Sequence, residues 1–349
     1  MEKIKSLKDL ALNITEEEYR KMPHLSYSTL AKYERGGFSS ISTLFDPIST
    51  ASTLYGQLVD TLITGTPEEF DSRFFVCDFP DIPDSIITIV KALYEAYSDK
   101  FNDLNNIAIS DIIAMADFYK YQSNWKPETR AKVIKEKGEE YYNLLFLAGD
   151  KTIVSTKDYD DAVNAYNVLK ESEATKFYFM SDNPFDGIER NYQLKFKATL
   201  NNVDYKCMFD LILTDHKNKT IQPVDLKTSF KKEYDFYKSF IEWSYNIQCR
   251  LYVRILKEII KNDEYFKDFA VLPYKDIVVC RTSLTPLVWD FEDTFVEGEL
   301  VYGKNKQIVL RDPQTIGEEL KYYLDSGATM PKDINKDTSN DLIKWLNTL

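Results

Sequence analysis

An acidic side chain inside an apolar strand calls for a reason, and this chain holds two of them fifteen residues apart. Asp210 interrupts Met208-Phe209-Asp210-Leu211-Ile212-Leu213; Asp225 interrupts Ile221-Gln222-Pro223-Val224-Asp225-Leu226, with Lys227 two residues on. Residues at i and i+2 of a strand project from one face, so Asp225 and Lys227 belong together. A hairpin turning about Lys217-Asn218 sets Asp210 opposite Asp225, with Cβ atoms about 4.5–5.5 Å apart. Carboxylates that close repel unless a cation sits between them, and all-oxygen ligation suits Mg²⁺ or Mn²⁺. An ammonium beside such a metal offsets phosphoryl charge or lowers the pKa of an attacking water, as phosphodiester hydrolysis requires. The acid-x-Lys spacing recurs at Asp215-x-Lys217 and Glu319-x-Lys321, where a turn and a surface helix are expected. The apolar setting is what separates Asp225 from these.

The elements that must position these residues are legible as a change of period. Up to about residue 186 the pattern is helical: Thr15-Glu16-Glu17-Glu18 is a capping box, and Ser26 or Ser28 caps a helix ending at Gly36-Gly37. Further helices are expected at Gly56–Ile63, Ser85–Phe101 and Asp111–Tyr121, with one long helix over Thr156–Phe179, broken by Asn183-Pro184 and Gly187. From Asn191 the text alternates as strands: Tyr192–Ala198, a turn at Asn201-Asn202, Tyr205–Leu213, and Ile221–Lys227. Helices over Lys231–Trp243 and Asn246–Ile260 follow, then a strand over Lys275–Thr282. The expected fold class is α/β or α+β, a mixed central sheet flanked by helices, after a helical N-terminal region and insert.

Charge is distributed unevenly. The 349 residues carry 44 basic and 56 acidic side chains, net −12, yet Arg190–Lys261 holds 14 basic against 8 acidic. That local excess reads as a solvated basic face or a phosphate-contacting surface. Tyr234, Phe236, Tyr237, Trp243 and Tyr245 interleave there with Lys231, Lys232 and Lys238; stacking on unpaired bases is one reading, with Phe236 and Trp243 assigned to the core. Ordinary hydrophobic content and few Gly and Pro indicate a folded, soluble chain. No apolar run approaches a membrane span and the first residues lack a signal-peptide core, so a cytoplasmic location is expected, with no membrane partner. Cys77, Cys207, Cys249 and Cys280 form no CxxC pair, so neither a zinc site nor an iron–sulfur cluster is expected. A GxxxxGK[ST] phosphate loop is absent. His24 and His216 read as loop and hairpin residues.

Taken together, Cys207-Met208-Phe209-Asp210, Asp225-Leu226-Lys227-Thr228 and Gln248-x-x-x-Tyr252 resemble the GxxD, DxKT and QxxxY motifs of the PD-(D/E)XK nuclease superfamily. The likeness is to its RecB-type nuclease domains and RecE- and lambda-type phage recombination exonucleases. It covers about residues 25–65 and 191–282, including Leu25-Ser26-Tyr27-Ser28-Thr29-Leu30, similar to the branch's N-terminal LSxSxL helix. Cys207 stands where the family has glycine, Gln193 where it often has an acidic residue, and Asp60 where its G-x-x-x-H-x-L helix has histidine.

What the resemblance implies is a restriction-endonuclease-like core and a Mg²⁺- or Mn²⁺-dependent DNA exonuclease of phage-type recombination, replication or end processing, in a bacterial or phage-infected cytoplasm. Asp60, Asp210, Asp225 and the Leu226 carbonyl would be metal ligands, with Asp210, Asp225, Lys227 and Gln248 catalytic. Ser229, Lys231, Lys232, Tyr245 and Tyr252 would meet nucleic acid, Tyr252 by touching the backbone or by supporting its helix. DNA is the expected partner; a strand-annealing recombinase, a helicase or further copies of the chain are companions the resemblance suggests. Residues 1–80 would form the helical start of the nuclease domain, 81–186 an insert, 187–290 the core sheet and Gln248 helix, and 291–349 a C-terminal extension. Two other readings stand beside this one: a catalytically silent nucleic-acid-binding or assembly module, and an endonuclease or RNA-acting nuclease.

Overall fold

The computed structural model describes residues 4–46, 51–181, 187–293, 298–301 and 307–327. The chain divides into two units, Met1–Thr53 with Val168–Leu349, and the continuous stretch Leu54–Asn167.

The first unit is built on a six-stranded mixed sheet. Its strands are β1 (Ile188–Leu200), β2 (Val203–Asp215), β3 (Thr220–Ser229), the short β4 (Ala270–Val271), β5 (Tyr274–Cys280) and β6 (Pro286–Phe291). The order is β1-β2-β3-β5-β6, with β4 beside β3. β1 and β2 close through Asn201 and Asn202, both at positive φ, the conformation a two-residue hairpin turn demands and asparagine tolerates. β2 and β3 turn about Lys217-Asn218, where the Asp215 carboxylate accepts the backbone N–H groups of both residues. β3 and β5 run parallel, and parallel neighbours need a crossover. Residues 230–273 supply it, carrying the helices Phe236–Glu242 and Tyr245–Lys261.

The first named helix is α1 (Tyr27–Gly36); α2 is Phe236–Glu242, α3 Tyr245–Lys261 and α4 Pro313–Ser326. Ile247, Leu251 and Ile255 recur every four residues, so α3 presents a buried stripe to the core that holds Phe196, Phe209 and Tyr274. Leu30 of α1 and Ile316 and Leu320 of α4 join the same core. The chain ahead of α1 is stitched to the sheet edge by a bridge between Leu25 and Tyr205. Beside it the buried Lys206 ammonium donates to the Tyr19, Arg20 and Met22 carbonyls at 2.9, 3.1 and 2.8 Å, satisfying the C-terminal end of helix Glu16–Lys21.

In the second unit, Asp84–Tyr97, Ile109–Phe118 and Pro127–Ala148 enclose a core of Ile86, Ile89, Val90, Leu93, Ile112, Ile134 and Tyr142. Gly138 allows the close approach: a Cβ there would lie 2.4 Å from Val90 Cγ2. Strands Phe74–Cys77 and Thr152–Ser155 pair in parallel. Two sequence expectations are corrected. The 22-residue helix Pro127–Ala148 was not expected, because its charged first half hides the apolar stripe. The single helix expected over Thr156–Phe179 stops at Glu171, and a turn in which Thr175 Oγ1 donates to the Leu169 carbonyl leads into the separate Lys176–Phe179 helix. The expected break at Asn183-Pro184 lies outside the described residues, as do residues 328–349 of the expected extension. No helix among the described residues is long and apolar enough to cross a membrane.

Gly317 of α4 rides directly on Tyr205 of β2: an added Cβ would fall 1.9 Å from the Tyr205 hydroxyl oxygen, itself buried without a hydrogen-bond partner among the described residues. Gly317→Ala is expected to destabilise the protein by about 1–3 kcal/mol through overpacking. Adding Tyr205→Phe removes the first clashing atom and should recover part of that loss. Urea denaturation of the two single variants and the double variant checks this; strictly additive effects would contradict it.

Candidate active site

The hairpin forms in the register that the two acidic residues require. Successive partners Leu211↔Val224 to Asp215↔Thr220 extrapolate to Asp210 opposite Asp225, but the ladder stops one step short. There the Asp210 carboxylate takes over from the missing backbone partner, accepting the Leu226 N–H at 2.9 Å. The N–H and C=O of a strand residue leave on the same side, so the Leu226 carbonyl is directed toward β2 as well. The β1–β2 ladder also skips a pair, Gln193 with Asp210, and Gln193 is the one residue of β1 at positive φ, +53°. Beyond Asp225 the row continues: its parallel partner on β5 is Asp276. Four neighbouring strands thus bring Gln193, Asp210, Asp225 and Asp276 to one level of the sheet.

Lys227 lies on the same face as Asp225 and is covered by α3. Its ammonium sits 2.5 Å from Asp225 Oδ2 and donates to Gln248 Oε1 at 2.7 Å. Gln248 Nε2 in turn donates to Asp225 Oδ1 at 2.5 Å, so one amide closes a ring of three side chains. The Tyr274 hydroxyl donates to the same Oδ1 at 3.3 Å. Two tyrosine rings complete the lysine's surroundings, Tyr245 with its centroid 4.4 Å from Nζ and Tyr27 of α1 at 5.9 Å. Burial works to lower the lysine's pKa, but Asp225, Tyr245, Asp276 and Tyr27 outweigh it and hold the group well above the usual lysine range. Its surroundings therefore favour the ammonium form.

Asp276 is the residue that sequence reasoning missed. It is fully buried, its Oδ1 finds no hydrogen-bond donor among the described residues, and Cys249 Sγ approaches Oδ2 at 4.0 Å. Burial first, and then the Asp225 charge, push its carboxyl up to about 8, with Lys227 pulling the other way. The signal that found Asp210 and Asp225 was also present here: a single acid within Tyr274-Lys275-Asp276-Ile277-Val278-Val279.

The remaining candidates scatter. Tyr252 is 6% exposed, packed against Phe209 and Tyr274, so here it supports the helix and offers no surface to a nucleic-acid backbone. Ser229 accepts the Lys231 N–H, Lys231 is ion-paired with Glu242, and Lys232 is exposed. Phe236 is buried as expected, but Trp243, assigned to the core, is 46% exposed. Ser244 follows it in the left-handed conformation between α2 and α3, and the indole stays outside with the Arg35 guanidinium over its ring. Asp60 is carried by the second unit, half-buried on helix Ala51–Thr64, so the cluster above consists of first-unit residues.

As a metal site, the cluster offers Asp210, Asp225 and the Leu226 carbonyl. Mg²⁺ is commonly held by one or two protein carboxylates, with waters and substrate phosphates filling the rest, so this oxygen set fits it. Asp225 Oδ2, buried and in ion contact with Lys227 yet lacking an aligned hydrogen bond, is the kind of anionic oxygen a cation satisfies. A closed cage is a different matter: among the described residues no group of three His, Cys, Asp or Glu side chains converges to hold a metal.

No protein-family model matches the chain, and no curated protein does. The solved structures that are similar include the crystal structure named "Putative exonuclease" from Eubacterium rectale, which is 12% identical with a TM-score of 0.42, the match covering 90% of this chain and 85% of that one.

Because Asp276 holds its proton in the folded chain well above the pH at which it loses it when unfolded, unfolding releases a proton between about pH 4 and 8. Stability without metal should therefore fall as pH rises through that window. Asp276→Asn keeps the shape, removes the titration and should flatten the profile. Urea unfolding in EDTA at several pH values measures it; an unchanged slope in the variant would place the linkage elsewhere.

Proposed function

We propose that this protein is a metal-dependent DNA nuclease of the PD-(D/E)XK superfamily, acting as an exonuclease in recombination, replication or end processing. The observation that carries the reading is the convergence of Asp225, Lys227 and Gln248 in one hydrogen-bonded ring, with Asp210 tethered to the next backbone N–H. Structural ion pairs seldom recruit a second carboxylate to the end of a ladder at a position where it costs regular pairing.

In this reading Asp210, Asp225 and the Leu226 carbonyl hold Mg²⁺ or Mn²⁺. When bound, the metal supplies charge neutralisation at the phosphate and a more acidic water. Lys227, charged at any working pH, faces the negative charge that grows on the phosphoryl oxygens as the nucleophile arrives. Gln248 accepts from the ammonium and donates to Asp225, and so orients both. Lys231 and Lys232, beyond the end of β3, contribute to the basic surface along which a DNA backbone would lie. A second reading, the catalytically silent module, draws on the open ligand set, since two first-unit carboxylates make a weaker cage than three.

The deciding assay compares wild type with Lys227→Ala on end-labelled linear duplex, closed circular and single-stranded DNA, with Mg²⁺, Mn²⁺ or EDTA. Wild type should degrade linear DNA only with metal and spare circles, and the variant should lose about a hundredfold or more in rate. A folded wild type that cuts no substrate in either metal would instead favour the silent module.

A further inference from the structure

Between Phe230 and Trp243, three exposed aromatic rings have a cation at the face. Trp243 lies under Arg35, whose guanidinium carbon is 5.3 Å from the ring centroid. Phe230, 54% exposed just past the end of β3, has Arg281 at 5.6 Å, and Tyr237 has Lys238 at 5.6 Å. Trp243 is the best fixed of the three. Its backbone carbonyl accepts both the Tyr27 hydroxyl at 2.7 Å and the Arg35 guanidinium at 3.0 Å. Tyr27 is also the tyrosine whose ring lies 5.9 Å from the Lys227 ammonium. One side chain therefore spans from the reactive centre to the base of the exposed indole.

We propose that Trp243 and Arg35 form a stacking site for an unpaired base of a DNA strand whose phosphate lies at Lys227. The inference rests on the nuclease reading and adds a substrate form: a frayed or single-stranded end. A flat ring half open to solvent offers a base its face, and the base must leave the duplex stack to use it. Arg35, itself exposed, adds charge for the adjoining phosphate. A protein partner would be met by contiguous apolar surface; here Trp243, Phe230 and Tyr237 each carry a cation, which suits a polyanion. The local basic excess over residues 190–261, in a chain of net charge −12, has the matching sign.

The test uses the full chain in EDTA, so that binding is read without cleavage. Fluorescence anisotropy of labelled oligo(dT) and of a blunt hairpin duplex is measured for wild type, Trp243→Ala, Trp243→Phe and Arg35→Ala, with circular dichroism verifying the fold. Trp243→Ala should weaken oligo(dT) binding about tenfold and change duplex binding by less than about twofold, with Trp243→Phe recovering most of the loss. Wild-type indole emission should be quenched by oligo(dT), and that quench should shrink in Trp243→Phe. Equal losses on both DNAs, or no loss on oligo(dT), overturn the stacking site. The two readings fail separately. Metal-dependent cleavage with unaltered oligo(dT) binding in Trp243→Ala removes the stacking site alone; selective loss of oligo(dT) binding in a chain that cuts nothing removes the nuclease alone.

Discussion

A lysine ammonium withdrawn from water is stable only if an anion meets it, and Lys227, whose side chain is 13% exposed, meets Asp225 at 2.5 Å. Taking either charge away would strand the other, at a cost of about 3–5 kcal/mol for a buried pair. Gln248 bonds to both members of the pair, accepting from the lysine and donating to the aspartate, which places its helix at one height along the sheet. The apolar stripe of Ile247, Leu251 and Ile255 supplies adhesion, but such stripes can slide; the amide sets the register. Helix, sheet and candidate chemistry are thus coupled through three polar side chains.

The sheet gives up regular pairing at this same level. Its first two strands skip one pair, its second and third stop one pair early, and a glutamine adopts a left-handed conformation there. Such a backbone costs about 1–2 kcal/mol for a residue with a side chain. What is gained is a side chain, the Asp210 carboxylate, where a backbone carbonyl would otherwise stand. At the same level Asp276 adds a second acid, whose Oδ1 is buried with no hydrogen-bond donor among the described residues. Gln193 at positive φ and the under-satisfied oxygens of Asp225 and Asp276 thus share one level of the sheet, and groups of this kind often mark functional sites.

The central sheet was legible in the sequence because its signals are local and strict. Alternation fixed which residues of β1 and β2 face inward, Asn201-Asn202 can hardly be anything but a turn, and Lys217-Asn218 set the register of Asp210 against Asp225. The helix Pro127–Ala148 was not legible: its first half carries charge on nearly every turn, and its core contacts with Ile86 and Val90 come from a segment forty residues away. Trp243 was misread for a related reason. Sequence gives its size and apolarity, but its exposure depends on one left-handed residue, Ser244, which has no compositional mark. Asp276 went unremarked because the strand that holds it lies beyond two helices, and its neighbour across the parallel ladder is visible only once the crossover is closed.

That the first unit is assembled from both ends of the chain bears on how it is made. Leu7, Leu25 and Leu30 leave the ribosome early, yet their core partners are Phe196, Tyr205 and Leu320. Between them lies Leu54–Asn167, contiguous and with its own core, complete as soon as residue 167 has emerged. During synthesis the intervening segment is free to fold at once, while the early leucines wait, exposed, for about 165 more residues between Leu30 and Phe196, several seconds or longer at ordinary elongation rates. The candidate site therefore draws on a segment that emerges after the second unit's, and its residues are all present only once Asp276 has been made.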